Sequence, residues 1–285
     1  MLAVQPLEED RKAWASDGAR RRDFATLAKQ RYSKDAAAAR MRALAALFSE
    51  VQKRRAAGDT FLGRLDTARP AIAGYDLGAY TSMLAAGETL QGNGDSVSLP
   101  LSVSAVIALS PHSNFSGSAF SARYQSITVP VLSVTGDDDT DSLGLVTSPS
   151  VRKAPFEYLP SRDTYLLWLV NVTHAEMSGV PSAGGEERDQ YAVSQQRDEG
   201  QASLKEASSR AGRRSGNKAG VERSDIGESG RRSNSPTDRV MASKLIEGVT
   251  TAFLNAYLKG DSIALEWLQK DEGRWIGDRG ELRRR

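Results

Sequence analysis

The pentapeptide Gly74-Tyr75-Asp76-Leu77-Gly78 limits what this chain can become more than any other stretch. It follows the apolar run Ala71-Ile72-Ala73 and leads into the small-residue segment Ala79 to Gly87, so the pattern reads strand, tight turn, helix. Glycines, having no Cβ, let a strand turn sharply into a helix packed close behind it, and the side chain between them then stands exposed at the top of a sheet. Here that side chain is Asp76.

Three more apolar runs carry the same signal. Val103 to Leu109, Val129 to Thr135 and Tyr165 to Val172 are short and mostly apolar, and each ends in polar residues. These are Ser110-Pro111-His112, the acidic run Gly136-Asp137-Asp138-Asp139-Thr140-Asp141, and Thr173-His174-Ala175-Glu176. Buried strands separated by helices or long connections predict a mainly parallel α/β sheet. Pro70 stands at the start of the first strand, one of the few strand positions where a missing N–H is tolerated.

Around these strands the chain divides into four expected segments. Residues 1–34 are charged, with Trp14, Phe24, Leu27 and Tyr32 as sizeable anchors, and are predicted to be peripheral and weakly helical. The core is placed at 35–179, opening with a helix whose apolar face is Met41, Leu44, Leu47, Phe48 and Val51, stopped by Gly58. Residues 180–239 hold too few large apolar side chains to offset their ordering entropy, which predicts a disordered insertion. In 240–285, Leu245, Val249, Ala252, Phe253, Ala256 and Tyr257 line one helix closed by Gly260, and Ile263 to Leu268 form a second. Tyr80, Trp168 and Trp267 read as core aromatics.

Composition narrows the partners. Basic and acidic residues nearly cancel, 38 against 36, so no global field suggests nucleic acid or a membrane surface. Zero cysteines remove disulfides and thiolate chemistry. The residues as written show no signal-peptide core and no membrane-length apolar run, which gives a cytoplasmic expectation. The two histidines lack the acidic spacing of a zinc site, and the acidic run lacks the spaced ligands of a calcium loop, so no metal is expected.

In an open parallel sheet, ligands sit beyond the carboxyl ends of the strands. Asp76, the run Asp137 to Asp139, and His174 all fall at such ends, in that order along the chain. His112 falls near them as a loop residue.

The stretch from Arg64 to Gly179, with Val249 to Trp267, resembles the α/β-hydrolase superfamily, nearest its dienelactone hydrolase-like and platelet-activating-factor acetylhydrolase-like members. The residues that carry this are Ala73 to Thr81, Val129 to Leu132 through Gly136-Asp137-Asp138-Asp139, Thr173-His174-Ala175, and Thr251 to Leu258. The resemblance implies hydrolysis of a small-molecule ester or lactone without metal or cofactor. It places the nucleophile at Asp76, its acid at Asp139, its base at His174, an oxyanion donor at the Leu77 N–H, and the elbow glycines at Gly74 and Gly78.

Two departures shape the expectation. Serine is the usual residue where this chain has Asp76. The residues ahead of Gly74 show no strand pattern and no His-Gly-Gly type loop, so the expected fold is an α/β-hydrolase-like, mainly parallel sheet with flanking helices that lacks the first strands. A carboxylate that attacks an ester gives an anhydride, whereas attack on saturated carbon gives an alkyl ester that activated water can hydrolyse. Asp76 therefore points to C–halogen or epoxide substrates if it is the nucleophile. The competing expectation is an inactive homologue or truncated fragment that acts as a binding protein.

Overall fold

The computed structural model describes residues 3, 26, 29–89, 102–112, 120–141, 145–146, 148–160, 162–179 and 236–285. The chain divides into one unit formed by 1–180 with 237–285 and a second formed by 181–236, and the expected insertion at 180–239 lies outside the described residues up to 235. Residues 236–239 are already helical, so the closing helix begins earlier than the apolar pattern suggested.

The first unit is an α/β fold. Helix α1 (Lys34–Ala56) leads to β1 (Ala71–Tyr75), α2 (Leu77–Ala86), β2 (Ala105–Leu109), α3 (Phe120–Tyr124) and β3 (Val131–Asp138). Then come α4 (Ala154–Tyr158), β4 (Thr164–Thr173), α5 (His174–Met177), α6 (Pro236–Lys259), α7 (Ser262–Lys270), α8 (Glu272–Ile276) and β5 (Gly280–Arg284). The sheet order is β1-β2-β3-β4-β5; the first four strands are parallel and β5 is antiparallel. Ahead of Ala71 the described residues hold helix and turn and no strand.

Alternation along the strands feeds two cores, as a sheet covered on both faces requires. Ala105, Ile107, Leu132, Val134, Tyr165 and Leu167 pack on one face against Leu245, Val249 and Phe253 of α6, Leu268 of α7 and Ile276 of α8. On the other face Val106, Ala108 and Val131 meet Ala79 and Met83 of α2, with Tyr124, Ile127 and Leu159. Helix α1 adds a smaller layer, Ala37 and Met41 against Tyr80 and Leu84 of α2. Burying one such aliphatic side chain contributes about 1.5–3 kcal/mol, so the two faces hold the sheet together.

Three local features differ from expectation. The segment 240–285 ends in a strand rather than helix alone, because Leu282 packs inward while its charged neighbours face solvent. Strand β3 runs on through Asp137 and Asp138, past the end of the apolar run at Thr135. Of the aromatics read as core, Tyr80 is buried, but Trp168 and Trp267 are half-buried, with the Lys153 ammonium 3.9 Å from the Trp168 ring centre.

Candidate active site

Asp76 is set by its backbone. It sits between β1 and α2 at φ 49°, ψ −107°, in the left-handed half of the map where a side chain is strained. Its N–H donates to Leu109 O at 2.9 Å, which pins the turn to β2. The two neighbouring glycines are not equivalent. A Cβ on Gly74 would overlap the Gly78 carbonyl and lie 2.7 Å from Ala79 N, whereas a Cβ on Gly78 would meet nothing within 4 Å. Close approach of helix to strand therefore rests on Gly74 alone. Leu77 is the first residue of α2, so its N–H has no intrahelical acceptor and stands available beside Asp76.

His174 is aimed by an irregularity in β4. Gly136 pairs with Leu169 but Asp138 pairs with Thr173, so β4 bulges against β3. Asn171 takes φ 57° inside the bulge, and its N–H donates to Asp137 Oδ1 at 2.6 Å. The bulge presses β4 carbonyls onto Gly136, where a Cβ would lie 2.6 Å from Leu169 O. Thr173 then caps α5 through a capping box with Glu176, fixing the residue that follows.

These devices bring three of the expected residues together. His174 Nδ1 lies 2.7 Å from Asp139 Oδ1, and Nε2 lies 3.9 Å from Asp76 Oδ1. A carboxylate only accepts, so Nδ1 donates to Asp139, and Nε2 is the ring nitrogen turned toward Asp76. Asp139 is fully buried, and Thr135 Oγ1 donates to its second oxygen at 2.7 Å. Burial works to raise the Asp139 pKa, but the His174 hydrogen bond and the Arg152 guanidinium outweigh it and hold the carboxyl below its ordinary range. The remaining acidic residues serve elsewhere: Asp137 caps the bulge, and Asp141 accepts from the N–H groups of Leu145 and Val146.

Three residues join the site that sequence patterns did not assign to it. Tyr32, expected to be a peripheral anchor, donates its hydroxyl to Asp76 Oδ1 at 2.8 Å. Burial first, then the Asp76 charge, pushes its pKa well above the ordinary phenol value, so it remains a donor. Tyr75, inside the pentapeptide, leans on the His174 ring and donates to its carbonyl at 2.9 Å. Arg152, on the 3-10 turn Pro149–Lys153, is fully buried and reaches Asp139, Ser110 and Asp76. Tyr32 stands among charged residues and Arg152 beside Lys153, so their local sequence carries no signal; only Tyr75 lies next to a residue that the pattern singled out.

His112 is buried and stacks on Tyr32, ring centres 3.7 Å apart. Burial, with Arg152 adding to it, pushes its pKa down to about 4. Among the described residues no group of three His, Cys, Asp or Glu side chains could hold a metal ion, and no helix is long and apolar enough to cross a membrane.

The arrangement offers a half-exposed carboxylate on a strained turn, a hydroxyl donor to one of its oxygens, and an imidazole whose basic nitrogen faces it. Chemically, that set can perform nucleophilic attack followed by water activation. No protein-family model matches the chain, and no curated protein matches it.

Proposed function

We propose that this chain is an α/β-hydrolase-type hydrolase in which Asp76 attacks a saturated carbon bearing halogen or epoxide oxygen. The observation that supports it is the line Asp76, His174, Asp139: a carboxylate at φ 49°, an imidazole Nε2 3.9 Å from it, and Nδ1 held by a second, buried carboxylate at 2.7 Å.

In the first step an Asp76 oxygen forms a bond to carbon while the carbon–X bond breaks and its electron pair leaves with X. Tyr32 holds Oδ1, which leaves Oδ2 to attack. In the second step water attacks Asp76 Cγ and gives its proton to His174 Nε2. The oxyanion that develops on Oδ1 is held by the Tyr32 hydroxyl, with the Leu77 N–H close by. Collapse breaks the Cγ–O bond to the alkyl group and releases the alcohol, which takes the proton from His174; the Asp76 acid, now carrying the water's oxygen, gives the water's second proton to solvent and returns as carboxylate. For a halide the net reaction is R–X plus water to R–OH plus HX; for an epoxide the leaving oxygen stays on the neighbouring carbon and takes up a proton, so the product is the diol. Hydrogen-bond donors fixed on such an oxyanion each contribute about 3–4 kcal/mol to the barrier. Ester or lactone hydrolysis by this site would pass through an anhydride and is disfavoured.

A binding protein without catalysis is the second reading. It draws support from the same Tyr32 hydrogen bond, which lowers the nucleophilicity of the carboxylate it holds.

Intact mass spectrometry separates the two. Incubation of the His174→Gln variant with an aryl epoxide and a 1-haloalkane is expected to trap the alkyl group on Asp76, because loss of the base slows deacylation about 10²–10⁴-fold. The wild type is expected to turn over without accumulating adduct. Absence of both adduct and turnover with either substrate sinks the enzyme reading and favours the binding protein.

A further inference from the structure

Arg152 is the fully buried cation of the site, and two of its three nitrogens donate to the turns at the strand ends. Nε donates to Asp139 O at 2.9 Å and lies 3.3 Å from Asp139 Oδ1. One terminal nitrogen donates to Ser110 O at 2.7 Å, lies 3.4 Å from Pro111 O and stands 4.0 Å from Asp76 Oδ1. The other lies 3.2 Å from His174 Nδ1, where two N–H groups face each other and no hydrogen bond forms.

The planar fork thus reaches the turns after three strands at once. It takes the Asp139 carbonyl after β3, the Ser110 and Pro111 carbonyls after β2, and the Asp76 carboxylate after β1. Ser110 adopts φ 49° to turn its carbonyl toward the guanidinium. A lysine could supply the charge but not this geometry. No ligand can touch Arg152, because no part of its side chain is exposed.

We infer that Arg152 is a positioning residue, which latches the three strand ends and supplies the counter-charge that balances buried Asp139 and the half-exposed Asp76 beside it. Two carboxylates drawn this close to one imidazole would repel each other without it. With it, Asp139 orients His174 while Asp76 faces the imidazole as the attacking group. The other groups that face Asp76 are the Tyr32 hydroxyl and His174 Nε2, with Tyr75 and His112 beyond them. None of these carries a permanent positive charge.

The inference rests on the proposed reaction only in its kinetic arm. The direct test is a pH titration of the Asp76 carboxyl by ¹³C NMR on the aspartate-labelled chain, assigned with Asp76→Asn. Arg152→Gln keeps an N–H for the carbonyls and removes the charge; it is expected to move the Asp76 midpoint up by about one pH unit or more, a tenfold change. Arg152→Lys keeps the charge and loses the fork, so its midpoint is expected within about half a unit of wild type, with a lowered Tm. An unmoved Asp76 midpoint in Arg152→Gln overturns the inference. If that variant does not fold by circular dichroism, a shift of a full unit in Arg152→Lys overturns it instead.

The kinetic arm expects Arg152→Gln to lower kcat about 100-fold with KM within about twofold, since a group that never touches substrate acts through Asp76 and His174. A wild-type chain without turnover defeats the hydrolase reading and leaves the NMR result to decide the role of Arg152.

Discussion

At the carboxyl ends of the strands the backbone takes left-handed values at Asp76, Ser110 and Asn171, the only non-glycine residues among those described with positive φ. The same rim buries Arg152 and Asp139 completely. At the amino ends the chain is relaxed. Pro70 and Pro130, which cannot donate, offer their carbonyls to Ser104 and Val106 and so extend the ladder. Asp163 accepts from Tyr257 at 2.8 Å, and Tyr257 meets Tyr165 at 2.9 Å, with Arg284 3.5 Å from Asp163. One rim carries strain of about 1–3 kcal/mol per residue and an enclosed charge cluster, while the other minimises both. The difference is what the proposed reaction at the carboxyl rim requires: strained turns and a buried counter-charge on that side only.

The largest expected effect comes from the turn itself. Gly74→Ala is expected to cost more than about 4 kcal/mol, because the new methyl overlaps backbone that cannot move away, whereas Gly78→Ala is expected to be neutral or stabilising by less than about 1 kcal/mol. Urea melts of the two variants decide it; equal losses would mean that helix α2 does not lean on β1 as described.

Next is acid sensitivity. With the His112 pKa depressed to about 4 in the folded state, the unfolded chain takes up the proton first as pH falls. Stability is then complete above about pH 6.5 and drains as pH drops toward 4, by up to about 3 kcal/mol. His112→Phe should flatten that window in denaturant melts at stepped pH. Asp139, held below its ordinary value, adds its own loss in the same direction at still lower pH.

The smallest effects test the contrast from both sides. Asp76→Gly relieves the positive φ and is expected to raise stability by about 1 kcal/mol while abolishing any adduct. Tyr257→Phe, on the amino rim, should cost about 1 kcal/mol for its lost hydrogen bonds and leave every site property unchanged. A Tyr257→Phe chain with altered site chemistry would break the separation of the two rims.

The four parallel strands were legible because each is a short apolar run that ends in polar residues; Asp76, the acidic run and His174 followed from where those runs end, and the choice of Asp139 within the run followed from the resemblance. Strand β5 was not legible. Gly280 to Arg284 contains one apolar residue, and what makes it a strand is the exposed ladder of β4, to which Leu282 pairs through Leu167. Tyr32 and Arg152 escaped for a related reason. Tyr32 lies 44 residues from its acceptor and Arg152 lies 42 from Ser110, so only tertiary packing brings them in. The glycines show the limit from the other side: Gly74 and Gly78 look alike in sequence, and only the packing of α2 tells them apart.

The larger core has a consequence for how the chain is made. Ile107, Leu132, Val134, Tyr165 and Leu167 present one sheet face whose covering residues, Leu245 through Ile276, come later in sequence than any parallel strand. During synthesis at about 5–20 residues per second, that face waits several seconds after β4 is complete before α6 follows. For that interval the nascent sheet is an apolar surface in search of a cover, and a holding chaperone has more to offer this protein at that moment than after its last helix has closed.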